Sequence, residues 1–336
     1  MKIIWLFCYI FAPMREKKIW VLLDERAGNA SQSLGVAEAL GWSFETKKIE
    51  FTPLIKLPNF LINRTSFGIA NPAELQPPWP DIVIATARRL AAVATYIKTK
   101  NPQTFLAQIQ WPTFPAWDFD LIAAPLHDRA KDAANVFHTI GAPHRVTDEL
   151  LKQEADKWRA HLAEFPAPRF AVLIGGSSHR KGFDAKHAKK LAELASTAAK
   201  SSGGSLLITT SRRTSAEMVS TLTANLDCKY FLHDWREGAP TAGENPYYGF
   251  LGLSDAIIAT GDSVSMCSEA AATGKPLYIY SSGDFTTGKY RKFHRALYER
   301  RLAKSLEEIN SGLFTPPGKL NDSLAVAAEI KRRILL

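Results

Sequence analysis

The sequence predicts an α/β protein in which two Rossmann-like domains face each other across a cleft. Short apolar runs alternate with longer amphipathic stretches in both halves of the chain, a pattern typical of parallel strands joined by crossover helices. A helical pattern that ends at Pro166-Ala167-Pro168 separates the halves, and a second series of apolar, strand-like runs begins after it. With 336 residues, the chain is long enough for two domains.

In the first half, strands are predicted at residues 19–23, 44–50, 81–85, 104–109, 120–124 and 136–139. Helical patterns cover residues 30–40 and 88–100. The region 53–80 is rich in proline and interrupts the alternation. Its segment Pro77-Pro78-Trp79-Pro80 cannot lie inside a helix, because proline lacks the N–H group and clashes with the preceding turn.

In the second half, a helix at 147–164 is followed by strands at 170–174, 205–209, 229–231, 256–259 and 277–280. Helices are predicted at 185–201, 214–225, 247–253, 263–273 and 323–334. The chain therefore divides into a non-native or disordered extension (1–17), an N-terminal domain (18–150), a connector (151–168), a C-terminal domain (169–310) and a tail helix (311–336) that can return to the N-terminal domain.

The net charge of +9 indicates anionic partners such as phosphorylated ligands or an acidic membrane surface. Cys8, Cys228 and Cys267 are scattered without a C-x-x-C pair, so neither a disulfide framework nor a zinc site is indicated. The apolar run at 3–12 is too short to span a bilayer and lacks a signal-peptide cleavage site. We expect a cytoplasmic protein, free or peripheral to the inner membrane.

A hydroxyl-rich turn between a strand and a helix is the most informative motif. It contains Asp262, Ser263, Ser265 and Met266. The start of a helix attracts anions through its free N–H groups and its dipole, and Glu269 lies one turn further on, where it can accept sugar hydroxyls. This combination suits a nucleotide-diphosphate sugar. The alternative is an ordinary β-α-β unit with a serine N-cap.

Two further loops follow strands of the second half. The first contains Gly175, Gly176, Ser177, Ser178, Arg180 and Lys181, and the second contains Ser211 and Arg212. Glycines let the backbone approach a ligand, and the hydroxyls and cations suit a diphosphate. Since ligands of open α/β sheets bind at the carboxyl ends of strands, the three loops predict one donor-binding edge. The alternative for the first loop is a flexible segment with solvated basic side chains.

Candidate catalytic bases lie in the first half. Asp24 and Glu25 follow the first strand without a full G-x-G-x-x-G, which argues against a dinucleotide cofactor. They could deprotonate an acceptor or bind hydroxyls, or they could only complement a helix dipole. His127 beside Asp128 is a second candidate base at another strand end, although neighbours in sequence often point apart.

A basic stretch runs from Lys289 to Lys304 with aromatic residues interleaved. It could contact an acidic membrane surface, or it could form a solvated helix that packs its aromatic side chains inward. No nucleic-acid-binding motif occurs in the sequence.

The chain resembles the mitochondrial fission family named for elongated mitochondria. The resemblance covers nearly all of the chain after residue 17 and rests on Asp24-Glu25-Arg26-Ala27-Gly28, Pro125-Leu126-His127-Asp128, Ile174-Gly175-Gly176-Ser177-Ser178 and Gly261-Asp262-Ser263-Val264-Ser265-Met266. That family includes a plant outer-membrane fission factor and many bacterial proteins of unknown activity. This chain is similar to the bacterial members.

The second half is also similar to the donor domain of B-fold glycosyltransferases. That resemblance implies a phosphate loop at Gly176, Ser177 and Ser178, and a ribose-binding carboxylate at Glu269 with Ser263 and Ser265 nearby. It implies transfer of a sugar from a nucleotide-diphosphate sugar to a cell-envelope acceptor held by the first domain, with neither metal nor cofactor.

Two other functions stay open on the sequence. The fission family implies a non-enzymatic interaction or membrane-remodelling protein on a degenerate glycosyltransferase scaffold. A sugar-nucleotide epimerase is the other, and the missing G-x-G-x-x-G and Tyr-x-x-x-Lys motifs of the first half count against it.

Overall fold

The computed structural model describes residues 17–128, 130–176, 182–236 and 244–335. Within these ranges the strands form two six-stranded sheets, one in each half of the chain. Every strand pair recorded in them is parallel. Parallel neighbours need crossover connections, and helices supply most of these.

The first sheet contains β1 (Ile19–Leu23), β2 (Glu45–Lys48), β3 (Ile82–Thr86), β4 (Phe105–Ile109), β5 (Leu121–Pro125) and β6 (Val136–Thr139), in the order β2-β1-β3-β4-β5-β6. Its helices are α1 (Ala27–Leu40), α2 (Asn59–Ile62) and α3 (Ala87–Lys100). Trp20 and Leu22 of β1 pack with α3, whereas Ile19 and Val21 pack with α1. Both faces of the strand are buried, so its sequence is continuously apolar.

The second half begins with α4 (Asp148–Trp158), and its sheet contains β7 (Arg169–Leu173), β8 (Ser205–Thr209), β9 (Tyr230–His233), β10 (Ala256–Thr260), β11 (Leu277–Tyr280) and β12 (Lys304–Ser305). The helices are α5 (Ala185–Ser201), α6 (Ala216–Ala224), α7 (Tyr247–Leu253), α8 (Val264–Ala272), α9 (Gly288–Glu299) and α10 (Asp322–Leu335). The order β12-β11-β10-β7-β8-β9 is that of a Rossmann fold.

The strand order of each sheet reverses at one point. In the first sheet the reversal lies between β1 and β3, and in the second it lies between β7 and β10. Crossovers leave these positions in opposite directions and open a crevice at the carboxyl ends of the strands, where ligands of such sheets bind. The loops after β7 and β10 are the two glycine- and serine-rich loops of the second half.

The last helix packs against the first half of the chain. Helix α10 contacts α1 and β6. At its start, the Asp322 carboxylate accepts the N–H groups of Ile140 and Gly141 at 3.2 and 2.7 Å. The Ser323 hydroxyl donates to the carbonyl of His144 at 2.6 Å and accepts its N–H at 2.7 Å. These buried bonds fix the tail helix on the first sheet.

Most predicted elements are present, with shifts at their ends. Strand β2 is shorter than the predicted 44–50, and β9 ends two residues later than the predicted end at 231. The short elements α2 and β12 were not predicted, because four and two residues show no measurable periodicity.

Candidate functional site

A cleft of about 280 Å³ lies between the carboxyl edges of the two sheets. The first half of the chain contributes Gln32, Gln110, Pro125, His127, Asp128 and Ala142 to its lining. The second half contributes Arg213, Asp262, Ser263, Val264, Ser265, Lys289 and Tyr290. The lining therefore joins both sheets at the places where ligands of parallel sheets bind.

The loop after β7 approaches the loop after β10 through two glycines. Gly175 donates its N–H to the Thr260 hydroxyl at 2.8 Å, and Gly176 donates to the Asp262 carboxylate at 2.8 Å. A Cβ at Gly175 would lie 2.4 Å from the Asp262 carboxylate, and a Cβ at Gly176 would lie 2.4 Å from the backbone of Arg213. Only glycine fits at Gly176, where the clash is with backbone, and a side chain at Gly175 would have to displace the Asp262 carboxylate.

Asp262 lies at the centre of this arrangement. One carboxylate oxygen accepts the N–H of Gly176, while the other is buried and has no hydrogen-bond partner among the described residues. Burial raises the pKa of Asp262, and the Arg213 guanidinium lies 3.9 Å away. A buried unpartnered acceptor favours a ligand that donates, such as a hydroxyl or an amide.

Helix α8 begins at this cleft. Ser263 caps it by accepting the N–H of Met266 at 3.4 Å, and Ser263 and Ser265 both line the cleft. The first N–H groups of a helix have no partner within it and carry a partial positive charge. Met266 itself packs against the apolar core.

The other two predicted loops have different outcomes. The Ser211 hydroxyl bonds the carbonyl of Gly175, so it supports the glycine loop. Arg212 is exposed and does not line the cleft, whereas its neighbour Arg213 does. The other predicted donor contacts, which lie in one loop, fall outside the described residues: Ser177, Ser178, Arg180 and Lys181.

His127 and Asp128 both reach the cleft. The Nε2 atom of His127 lies 3.8 Å from the Asp128 carboxylate, and its Nδ1 atom has no partner among the described residues. Lys289 of α9 forms an ion pair with Asp128 across the cleft. Burial lowers the pKa of His127 to about 4; the Asp128 charge raises it, and Lys289 lowers it further. The imidazole is therefore neutral at pH 7.

A second buried histidine, His294 of α9, lies close enough to His127 that the charge of His127 lowers the pKa of His294. Burial lowers the pKa of His294 to about 4, against the raising effect of a hydrogen bond with the backbone of Gly261. Arg213, Lys289 and His294 were not predicted as site residues. Nothing in their local sequence indicates that they face the opposite domain.

Asp24 and Glu25 lie at the reversal point of the first sheet but do not line the cleft. Arg89 donates to both carboxylates, at 2.6 and 2.7 Å. Its hydrogen bond lowers the pKa of Glu25. A carboxylate held in an ion pair is a weak base, so this geometry does not favour either residue for proton abstraction.

Glu269 lies one helical turn behind the cleft, buried between the two halves of the chain. Tyr247 donates to one carboxylate oxygen at 2.6 Å, and Ser31 of α1 donates to the other at 3.2 Å. Burial raises the pKa of Glu269 to about 7, against the lowering effect of these bonds. In this arrangement the carboxylate joins the two halves, and it is not part of the cleft lining.

Metal clusters and membrane-spanning helices are both absent from the described residues. Within residues 17–128, 130–176, 182–236 and 244–335, no cluster of three or more His, Cys, Asp or Glu side chains could hold a metal ion. In the same ranges, no helix has both the length and the apolar character needed to cross a membrane.

Comparison with known sequences gives a match over most of the chain. Residues 27–334 match the family model "Mitochondrial fission ELM1". A Rickettsia prowazekii (strain Madrid E) protein named "Uncharacterized protein RP120" is 31% identical over 352 residues, covering 93% of this chain and 97% of that protein. The Arabidopsis thaliana "Mitochondrial fission protein ELM1" is 30% identical over 296 residues, covering 80% of this chain and 67% of that protein.

Comparison with solved structures identifies the fold. The UDP-GlcNAc 2-epimerase from Neisseria meningitidis bound to UDP-GlcNAc has a TM-score of 0.55 and 15% identity, covering 95% of this chain and 99% of that one. The Methanocaldococcus jannaschii UDP-GlcNAc 2-epimerase in complex with UDP-GlcNAc and UDP has a TM-score of 0.53 and 14% identity, covering 94% and 99%. The predicted glycosyltransferase-B-like fold class is thereby confirmed.

Proposed function

The chain belongs to the mitochondrial fission ELM1 family, and on that premise we propose that it transfers a sugar from a nucleotide-diphosphate sugar to a cell-envelope acceptor. The observation that carries this proposal is the cleft itself. It lies at the carboxyl edges of two Rossmann-like sheets and combines a helix start, two cations and a buried carboxylate oxygen that has no hydrogen-bond partner among the described residues. Donor, acceptor and catalytic base would meet there.

The second domain would bind the donor. The start of α8, Arg213 and Lys289 would hold the diphosphate, since a helix N-terminus and cationic side chains both favour phosphate oxygens. The Asp262 oxygen that has no partner in the described part of the chain would accept a hydroxyl or amide of the sugar or nucleoside, because a carboxylate repels phosphate. The loop with Ser177, Ser178, Arg180 and Lys181 remains a proposed contributor on sequence grounds.

His127 would be the general base toward the acceptor hydroxyl, with Asp128 as its partner. Lys289 pairs with Asp128 and lowers the pKa of His127. A bound diphosphate would draw Lys289 away and cancel its charge. The attraction of Asp128 would then raise the pKa of His127 toward the operating pH, where a general base is most effective.

Catalysis would need no metal ion in this scheme. The leaving diphosphate gains charge as the glycosidic bond breaks, and Arg213, Lys289 and the α8 N-terminus would neutralise it. Glu269 remains a proposed ribose contact. To serve as one it would have to exchange its bond with Ser31, which requires the two domains to separate locally.

A second candidate function is epimerisation of the nucleotide sugar. The two structural neighbours described above are epimerases, one bound to UDP-GlcNAc and one to UDP-GlcNAc and UDP, and they share this fold. Incubation with UDP-GlcNAc alone separates the two activities. An epimerase changes the configuration at C2 without an acceptor, whereas a transferase leaves the sugar unchanged until an acceptor is added.

We do not favour the non-enzymatic alternative. A degenerate cleft would be free to fill with apolar side chains or internally paired groups. This one retains an unpartnered carboxylate oxygen and an unpartnered histidine nitrogen among its described residues, and leaving such buried groups without partners costs free energy.

A thermal-shift screen with UDP-, GDP-, ADP- and CMP-sugars tests the proposed function. A ligand that binds only the native state at about 100 times its Kd stabilises it by roughly 2.7 kcal/mol, enough to raise the Tm by several degrees. Arg213→Ala should abolish the shift. The matched control is Arg212→Ala, which removes the adjacent exposed guanidinium outside the cleft and should preserve it. The proposed function is wrong if no donor shifts the wild type at millimolar concentration.

A further inference from the structure

Two glutamine side chains line the cleft from the first half of the chain, Gln32 of α1 and Gln110 after β4. We call them the amide pair. Gln110 donates to the side-chain carbonyl of Gln32 at 3.1 Å, and Gln32 donates to the carbonyl of Gly28 at 3.2 Å. Gln32 is also buried. Packing and hydrogen bonds together therefore fix the position of the pair.

The backbone at Gln110 has a conformation that side chains rarely adopt. Its φ of 64° lies in the left-handed region, which is unfavourable for a residue with a Cβ but not for glycine. Neighbouring groups hold it there: the Gln110 N–H donates to the carbonyl of Ala123 at 2.9 Å, and the buried Gln108 side chain donates to the carbonyl of Ile109 at 2.7 Å. Strain of this kind collects at functional sites, so it points to a role for the Gln110 side chain.

The amide pair keeps hydrogen-bonding capacity in the cleft. A primary amide has two N–H donors and one carbonyl acceptor. Among the described residues, the bonds of the pair use one N–H of each glutamine and the carbonyl of Gln32. One N–H of each side chain and the Gln110 carbonyl are then left for a ligand. Such neighbouring donors and acceptors match the hydroxyl groups of a saccharide, because each hydroxyl both donates and accepts.

The same wall of the cleft is poor in positive charge. Its lining from the described residues of the first half contains no lysine or arginine. The two arginines that follow β3 are bonded elsewhere: Arg88 donates to backbone carbonyls of the 55–57 segment, and Arg89 pairs with Asp24. The wall also carries the Asp128 carboxylate. A phosphate group needs cationic partners, so this wall suits a neutral ligand.

His127 lies on this wall too, and its chemistry fits a hydroxyl better than a phosphate. The imidazole is neutral at pH 7 and can accept a proton. A hydroxyl must lose a proton when it attacks, whereas a phosphate is already ionised at neutral pH. In the proposed transfer, the acceptor oxygen bonds to the anomeric carbon as the bond from that carbon to the diphosphate breaks. The electron pair of the broken bond leaves with the diphosphate, and the hydroxyl proton passes to His127.

The amide pair is close to the start of α8, where the diphosphate is proposed to bind. A Cβ at Gly28, whose carbonyl holds Gln32, would lie 3.8 Å from the Ser265 hydroxyl. We propose that Gln32 and Gln110 bind a neutral saccharide by its hydroxyl groups, and that the acceptor is a sugar hydroxyl rather than a lipid phosphate. Saccharide binding stands on the cleft alone, whereas its role as the acceptor rests on the proposed function.

Saturation-transfer difference NMR on the full-length protein tests this site without a donor. The probes are the methyl α- and β-glycosides of glucose, galactose, mannose and N-acetylglucosamine, and at least one should bind the wild type. Gln110→Gly should weaken that binding about tenfold, as expected for the loss of two neutral hydrogen bonds. Its urea midpoint should stay the same or rise, because relief of the left-handed strain offsets the greater freedom of glycine in the unfolded chain.

The matched control is Arg301→Gly. It makes the same change at an exposed left-handed residue, with a φ of 56°, outside the cleft, and it should keep glycoside binding. Inorganic pyrophosphate and the short lipid phosphate farnesyl phosphate serve as competitors. Neither should displace the glycoside, because the cations of the cleft lie on the opposite wall.

Four outcomes would overturn the proposal. They are that no glycoside binds the wild type, that Gln110→Gly binds like the wild type, that its urea midpoint falls, or that either competitor displaces the glycoside. A lower midpoint would assign Gln110 a structural role, and displacement would place the saccharide on the phosphate-binding side. Failure of the proposed function is a separate result: no nucleotide-sugar would shift the Tm, and the glycoside measurement would be unaffected.

Discussion

Replacing Glu269 by glutamine should make the protein more stable at neutral and alkaline pH. The wild-type carboxylate is buried between the two domains, where burial raises its pKa from 4.5 to about 7. Glutamine keeps the size of the side chain. Its carbonyl can accept the Tyr247 hydroxyl, and its amide can donate to the Ser31 hydroxyl, so both contacts persist without a charge.

The size of the effect follows from the two pKa values. The native state binds the Glu269 proton more tightly than the unfolded state does, so the stabilisation is fully present below pH 4.5 and is lost as the pH rises through 7. At about 1.4 kcal/mol per pKa unit, the change amounts to roughly 3 kcal/mol. Glu269→Gln should therefore exceed the wild type by about 1 kcal/mol or less at pH 5 and by up to ~3 kcal/mol at pH 8.

Urea unfolding of both proteins at half-unit steps between pH 5 and pH 8 measures this difference. Subtraction of the two curves removes the titration of all other groups. Glu25→Gln is the matched control, because hydrogen bonding to Arg89 lowers the pKa of that exposed carboxyl and moves its titration below the measured window. A difference between Glu269→Gln and wild type that stays constant over this range would refute the assignment of a raised pKa to Glu269.

Three other substitutions test contacts of the cleft and of the second domain. Gly175→Ala should lower the free energy of unfolding by about 1–3 kcal/mol and abolish any donor-induced thermal shift, because its Cβ would meet the Asp262 carboxylate at 2.4 Å. The control is Gly283→Ala, whose Cβ meets no atom within 4 Å and which should behave like the wild type. Lys275→Met should lower the free energy of unfolding in urea by about 3 kcal/mol, because the ammonium donates to the carbonyls of Leu251, Gly252 and Ser254 at 2.6–2.8 Å. An unchanged urea midpoint would contradict this prediction. Lys289→Met should raise the pKa of His127 in an NMR titration of the imidazoles, since Lys289 lowers that pKa in the wild type. The variant His127→Gln assigns the resonance. A lower pKa of His127 in Lys289→Met than in the wild type would contradict the electrostatic account.

The fold class could be predicted from the sequence, and so could the edge of the sheet at which the candidate site is proposed. Alternating apolar and amphipathic runs give parallel strands and crossover helices, because the period of each run matches one kind of element. Loops that follow strands of a parallel sheet lie at one edge, so the order of strands and loops along the chain is enough to place the loops after β7 and β10 at the same edge, whereas their adjacency depends on the strand order of the folded sheet.

The tertiary structure alone decided which side chains face the cleft and which face each other across the domains. Arg213 rather than Arg212 lines the cleft, Lys289 pairs with Asp128, and Glu269 is buried against Ser31. The Lys289–Asp128 pair and the burial of Glu269 against Ser31 depend on how the two halves of the chain pack on each other. Sequence periodicity reports only the buried face of each element, and it carries no information on contacts between elements that lie far apart in the chain.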